Sequence, residues 1–203
     1  MKRFVCLSVW LCLSIPCFSQ IYRARDYTAQ EEPARFTAPR WEVSAGAAAF
    51  SGQMHDFTGQ RLVQGELGAE VRAFYSLADW AAVGVSGGVS GPLKKTELVD
   101  KYRTYRLEAL LKVTLTPQAS PRSYITAGMG WQQHDVSYFS LWQEKFSVPF
   151  LAFGAGVETA FSENWFGGLE LRGMYHLQSA RNVYFYFPHR WEAAVHLRTG
   201  WMF

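Results

Sequence analysis

Seven glutamates, Glu42, Glu66, Glu70, Glu108, Glu158, Glu170 and Glu192, recur in this chain at the same alternate positions of short segments as Arg72, Arg106, Lys112, Arg172 and Arg198. Carboxylates and cations interleaved in this way can neutralise one another pairwise in a confined space, or line a narrow ion path if water reaches them. A second chemistry belongs to histidine. His134 and Ser137 lie three residues apart, His55 adjoins Asp56, and His176 and His189 stand further on. A histidine base beside a serine hydroxyl is the arrangement that acyl transfer needs. His134 and Ser137 have opposite parity on a continuing strand, however, so they would face opposite sides. No catalytic residue is therefore assigned, and no metal site or cofactor is expected, since histidines in loops are usually solvated.

The elements that must carry these residues are eight alternating segments, at about 41–50, 64–75, 80–90, 102–115, 123–133, 148–159, 165–177 and 190–203. The fourth is the clearest: Tyr105, Leu107, Ala109, Leu111, Val113 and Leu115 alternate with Thr104, Arg106, Glu108, Lys112 and Thr114. Period-two alternation gives a strand one oily face and one wet face. Three charges on one strand face would be intolerable in a dry core.

The connections alternate in length. Ser76 to Asp79, Thr116 to Arg122 and Phe161 to Asn164 are short, whereas 51–63, 91–101, 134–147 and 178–189 are long. Barrels of the outer membrane have short inner turns and longer outer loops. Aromatic residues gather at the segment ends: Trp41, Tyr75, Trp80, Tyr124, Trp165, Trp201 and Phe203 near the short turns, and Phe50, Trp131, Phe146, Tyr175 and Trp191 near the long loops. Rings that prefer the headgroup boundary form two such girdles.

Met1-Lys2-Arg3, an apolar stretch from Phe4 to Ile15, and Pro16 to Gln20 read as a secretory signal peptide over 1–19. Residues 20–40 are polar and aperiodic, which suggests a periplasmic lead-in before a barrel over 41–203. Cys6, Cys12 and Cys17 all fall in the leader, so the exported chain has no thiol for disulfides, metal or nucleophilic catalysis. Removing Lys2 and Arg3 takes the formal net charge from +3 to +1, with the remaining charges interspersed. Nothing there suits nucleic acid.

A soluble barrel or sandwich could share the alternation, with its apolar face inward. The orientation is decided by the small residues on the polar face (Gly84, Gly88, Gly128, Gly130, Gly154, Gly156, Gly168), by the girdles and by the terminal aromatic. The expected fold is all-β, an eight-stranded antiparallel up-and-down transmembrane β-barrel. Such a barrel is only just wide enough for its own side chains, so the charges should interlock as a plug.

With its strand number, loop asymmetry and Gly200-Trp201-Met202-Phe203 ending, the chain from Trp41 to Phe203 resembles the small eight-stranded outer-membrane barrels. These are typified by the membrane domain of outer membrane protein A and by related adhesion and serum-resistance proteins. The resemblance implies a monomer in the bacterial outer membrane, surrounded by its lipid. It implies that Trp201 and Phe203 form the assembly signal read by the barrel-assembly machinery. No peptidoglycan-binding domain is expected after the barrel, because the chain stops at the barrel's end. A non-enzymatic role in envelope structure or surface interaction follows, with any ligand held by the loops 51–63, 91–101, 134–147 and 178–189. A lipid-A-modifying enzyme and a narrow solute channel are the rival readings. The oily run Tyr184-Phe185-Tyr186-Phe187 is expected to pack on neighbouring loops such as Tyr138 to Trp142, with the last two segments extended beyond the membrane, or else to form a contact patch.

Overall fold

Alternation over each segment is realised as a closed sheet. The computed structural model describes residues 41–117, 119–139, 142–177, 185–187 and 189–203. Residues 1–40, where the sequence suggests a signal peptide and a lead-in, lie outside the described residues. The strands are β1 (Trp41–Asp56), β2 (Arg61–Ala78), β3 (Ala81–Lys95), β4 (Val99–Thr114), β5 (Arg122–Tyr138), β6 (Trp142–Ala160), β7 (Trp165–His176), the two-residue β8 (Phe185–Tyr186) and β9 (Trp191–Met202). Each long strand pairs antiparallel with the next, and β9 pairs with both β7 and β1. The eight long strands thus form a barrel with no free edge, which satisfies every ladder without water.

The apolar parity faces outward. Leu107 and Leu171 are 63% and 53% exposed, whereas their neighbours Glu108 and Arg172 are 5% and 4% exposed. A solvent-facing wall of Leu, Val and aromatic rings is stable only against lipid, where the strands keep their backbone groups paired and the rings meet hydrocarbon.

Inward glycines make room for the rings beside them. Gly200 pairs with Phe166, and a Cβ on Gly200 would come within 2.5 Å of the Phe166 ring. Gly130 pairs with Phe150 in the same way, a Cβ there meeting the ring at 2.9 Å. Bulky and minimal residues on adjacent strands therefore fill a narrow lumen without strain.

Three aromatic assignments need correction. Tyr124, Phe50 and Phe146 point into the barrel rather than to the girdles. Tyr124 and Phe50 share the parity of Thr126 and Glu42, so the strand period itself turns them inward. The exposed girdle members include Trp41, Tyr75, Trp80, Trp165 and Phe203 at one end and Trp131 and Trp191 at the other.

The outer connections also differ from the expected loops. The hairpins β1–β2, β3–β4 and β5–β6 continue as strand beyond the girdle: the first two turn only at 57–60 and 96–98, and in the third β5 runs to Tyr138 and β6 begins at Trp142. The physical reason is that the pattern inverts above the lipid. There Met54, Leu62, Val99 and Val136 point inward, while Arg61, Lys101, Arg103 and Lys145 point out to water. Asp56 secures the first tip by accepting hydrogen bonds from the Thr58 amide (2.9 Å), the Thr58 hydroxyl (2.6 Å) and the Gln60 amide (2.9 Å). β7 and β9 do not extend in this manner, ending at His176 and beginning at Trp191.

Candidate functional site

The lumen holds the charged residues in tiers along its axis. In the tier nearest the short turns, Lys112 Nζ donates to Glu42 Oε2 (2.6 Å) and to both oxygens of Glu158 (2.9 Å each). Arg198 bridges the same two carboxylates at 3.1 and 3.0 Å, and Arg122 meets Glu158 at 2.9 Å. Lys112 also stands 5.0 Å from the centre of the Tyr124 ring, as does the Arg198 guanidinium.

The middle tier centres on Glu170, which is fully buried. It accepts from Arg72 Nη1 (2.6 Å), Arg172 Nε (2.8 Å) and the Tyr124 hydroxyl (3.0 Å). Arg172 reaches on to Glu108 at 2.6 Å, and Arg72 pairs with Glu70. Glu70 is held in addition by Ser86 (2.7 Å) and His196 (3.0 Å).

In the upper tier Arg106 Nη2 meets Glu66 at 2.7 Å and Glu192 at 3.5 Å, with its guanidinium 3.6 Å from the centre of the Phe50 ring. Glu66 also accepts from the hydroxyls of Tyr102 (2.6 Å) and Ser90. His176 lies 3.4 Å from Glu192.

Each of the seven carboxylates singled out in the sequence, Glu42, Glu66, Glu70, Glu108, Glu158, Glu170 and Glu192, has a basic partner within ion-pair distance. All five cations singled out take part as well. Isolated charges would cost several kcal/mol each in such a space, so mutual pairing is the condition for burying them. Sequence reasoning passed over Arg122, Tyr124 and His196 in this network. The parity of Tyr124 and His196, matching that of Thr126 and Arg198, carried the signal for two of them.

Above the charges an apolar cluster of Met54, Leu62, Val63, Val99, Tyr102, Val136 and Phe185 closes the mouth. Phe185 arrives through β8, where it pairs with Asp56 of β1. The Phe187 ring lies tilted 4.6 Å from that of His134, and the Phe185 ring lies 5.7 Å from that of Tyr138. The described part of the oily run thus packs inward by folding back over the mouth, not by lengthening the last two strands.

His134 and Ser137 are not brought together. His134 is completely buried, its Nδ1 3.1 Å from the hydroxyls of Tyr102 and Thr104, whereas Ser137 pairs with Gln143 of β6. His55 packs its ring on Tyr186 at 5.6 Å, and His189 is exposed. Among the described residues no three His, Asp or Glu side chains are placed to hold a metal ion. At the other end of β9, Trp201 packs edge-on against Trp165 at 5.2 Å, and the Phe203 amide donates to the Trp41 carbonyl (2.9 Å).

The family model of the outer membrane protein beta-barrel domain matches residues 26–198. The chain belongs to this family. Its place is accordingly the bacterial outer membrane, with the apolar wall against lipid. Several solved outer-membrane proteins share its barrel fold. Neisserial surface protein A superposes with a TM-score of 0.64 at 16% identity, covering 80% of this chain and 97% of its own. OprG of Pseudomonas aeruginosa gives 0.62 at 12% identity over 82% and 96% of the two chains. Ail, the attachment invasion locus protein of Yersinia pestis, gives 0.53 at 16% identity over 81% and 99%. At these identities the likeness concerns the fold. A search of curated protein sequences finds no match.

Proposed function

We propose that this outer-membrane barrel is a non-enzymatic, non-conducting protein that works through its outer hairpins in surface interaction, with the sealed lumen bracing the wall. The observation that carries the reading is the filled axis: three tiers of paired charge beneath the apolar cluster around Val136 and Phe185. A path for ions would have to break several charge-assisted hydrogen bonds at once. What remains for recognition is the crown of β1–β6, which stands clear of the lipid belt with polar residues outward. Ail, whose name refers to attachment and which has been solved with the heparin analogue sucrose octasulfate, has the same fold and supports a surface-interaction reading.

The same reading takes 1–19 as the export signal, 20–40 as a periplasmic lead-in and the barrel as a monomer. Trp201 and Phe203 are proposed as the residues that the barrel-assembly machinery engages.

The test is to shorten the β5–β6 hairpin by replacing 133–147 with a tight turn, and to compare adhesion of cells to immobilised matrix glycans and to host cells. Adhesion should fall while the barrel keeps its heat-modifiable mobility. Unchanged adhesion, together with altered lipid A in mass spectra or conductance in bilayers, would replace this reading with the enzyme or the channel.

A further inference from the structure

Along one face of the outer wall the chemistry changes row by row with the strand register. Across β4, β5 and β6 the outward residues run Ala109, Met129 and Leu151, then Leu107, Trp131 and Pro149, then Tyr105, Gln133 and Ser147, then Arg103, Asp135 and Lys145. Lys101, Ser137 and Gln143 follow. Apolar wall therefore passes through an aromatic and amide row into a cationic one without a break. Trp131 is 61% exposed and marks the lipid boundary, where rings settle at headgroup level. Two rows of tilted strand raise Arg103 and Lys145 about 10 Å above it. Their long stems can reach back into the headgroup layer.

The charge on this face is unbalanced. Lys101, Arg103 and Lys145 surround a single carboxylate, Asp135, which is nearly buried. Asp135 accepts from Gln143 Nε2 at 3.0 Å and pairs with Lys101 at 3.5 Å. It thus ties β4, β5 and β6 together and leaves Arg103 and Lys145 exposed on either side. Glu144, the next residue along β6, has the inward parity, and Glu97 and Asp100 belong to the neighbouring β3–β4 tip. Elsewhere on the crown Lys95 donates to the carbonyls of Val99 and Asp100, and Arg61 to Gln64.

A ligand that suits this face has an acyl body for Leu107, Met129 and Trp131, hydrogen-bonding groups for Gln133 and Ser147, and negative charge for Arg103 and Lys145. We infer that the outer wall of β4–β6 binds the phosphate groups of outer-leaflet glycolipid, with Arg103 and Lys145 as the contacting cations. This deepens the surface-interaction reading, on which it rests for the outward placement of the hairpins, and gives that surface a lipid partner.

The experiment uses the full-length protein folded in detergent, with bound lipid counted by native mass spectrometry. The probes are bisphosphorylated lipid A, the same lipid A dephosphorylated, and sucrose octasulfate. The expected result is preferential retention of the phosphorylated form. It should weaken about tenfold or more in the variant R103Q/K145Q, because each such cation contributes on the order of 1 kcal/mol toward an anionic surface. R103K/K145R should retain binding, and R61Q/K94Q should leave it unchanged, with heat-modifiable mobility showing that each variant is folded. Equal retention of both lipid A forms, or undiminished binding by R103Q/K145Q, overturns the inference. So does a dependence on Arg103 and Lys145 for sucrose octasulfate alone, which would assign the face to a soluble polyanion. Loss of lipid selectivity with hairpin-dependent adhesion intact removes this inference and leaves the adhesion reading in place.

Discussion

Lys112 on β4 and Glu158 on β6 meet across the lumen, the ammonium 2.9 Å from each carboxylate oxygen, although their strands do not pair with one another. Such a contact ties the wall together from inside. Its removal leaves Glu42 and Glu158, both buried, sharing the cations Arg198 and Arg122. Lys112→Met is expected to destabilise the barrel by about 3 kcal/mol, as when one partner of a buried pair is lost. The double change K112M/E158Q should recover part of this. Urea unfolding from phospholipid vesicles measures both, and an unaltered midpoint for K112M would show that the contact contributes nothing.

The outer wall makes the opposite demand. Leu171 is exposed at mid-height of β7, so Leu171→Arg places a charge in hydrocarbon at a cost of about 2–4 kcal/mol. Gln133→Arg, above the girdle, should cost less than about 1 kcal/mol. Equal effects at the two positions would argue against a lipid boundary between them.

Packing inside the lumen gives a third expectation. Gly200→Ala drives a Cβ against the Phe166 ring, and overpacking of this kind costs about 1–3 kcal/mol. Phe166→Leu in the same chain should relieve much of it. A stable G200A protein with an unshifted unfolding midpoint would mean that the ring has room to move.

Much of the barrel was legible because lipid imposes a strict rule on one face. Leu107 beside Glu108 and Leu171 beside Arg172 can alternate over a whole strand only if the two faces meet different media. The same rule, applied strictly, would also have turned Tyr124 and Phe50 inward. Above the lipid the rule lapses. Val136 points in and Lys145 out, so the contrast between faces reverses and the hairpin ends read as loops. Which carboxylate meets which cation was not legible either, since pairs such as Arg72 with Glu170 join residues far apart in sequence through the closure of the sheet. Nor could the sequence tell that Phe185 and Phe187 fold over the mouth, because that depends on the short pairing of β8 with β1.

Topology can be read directly, since the three cysteines of the chain all precede residue 20. Single cysteines at the exposed tip positions Thr58 and Glu97 should react with a membrane-impermeant maleimide on intact cells. Cysteines at Asp79 and Glu163, in the opposite turns, should react only after lysis. Labelling in the reverse order would invert the barrel in the membrane.

The central claim is that the lumen is sealed by its own ion pairs, and single-channel recording in planar bilayers tests it most directly. The folded protein is expected to show no conductance steps, while a folded variant with Glu70, Arg72, Glu170 and Arg172 all changed to Ala should conduct. Steps of stable amplitude from the unaltered protein, abolished by antibody to its outer hairpins, would contradict it.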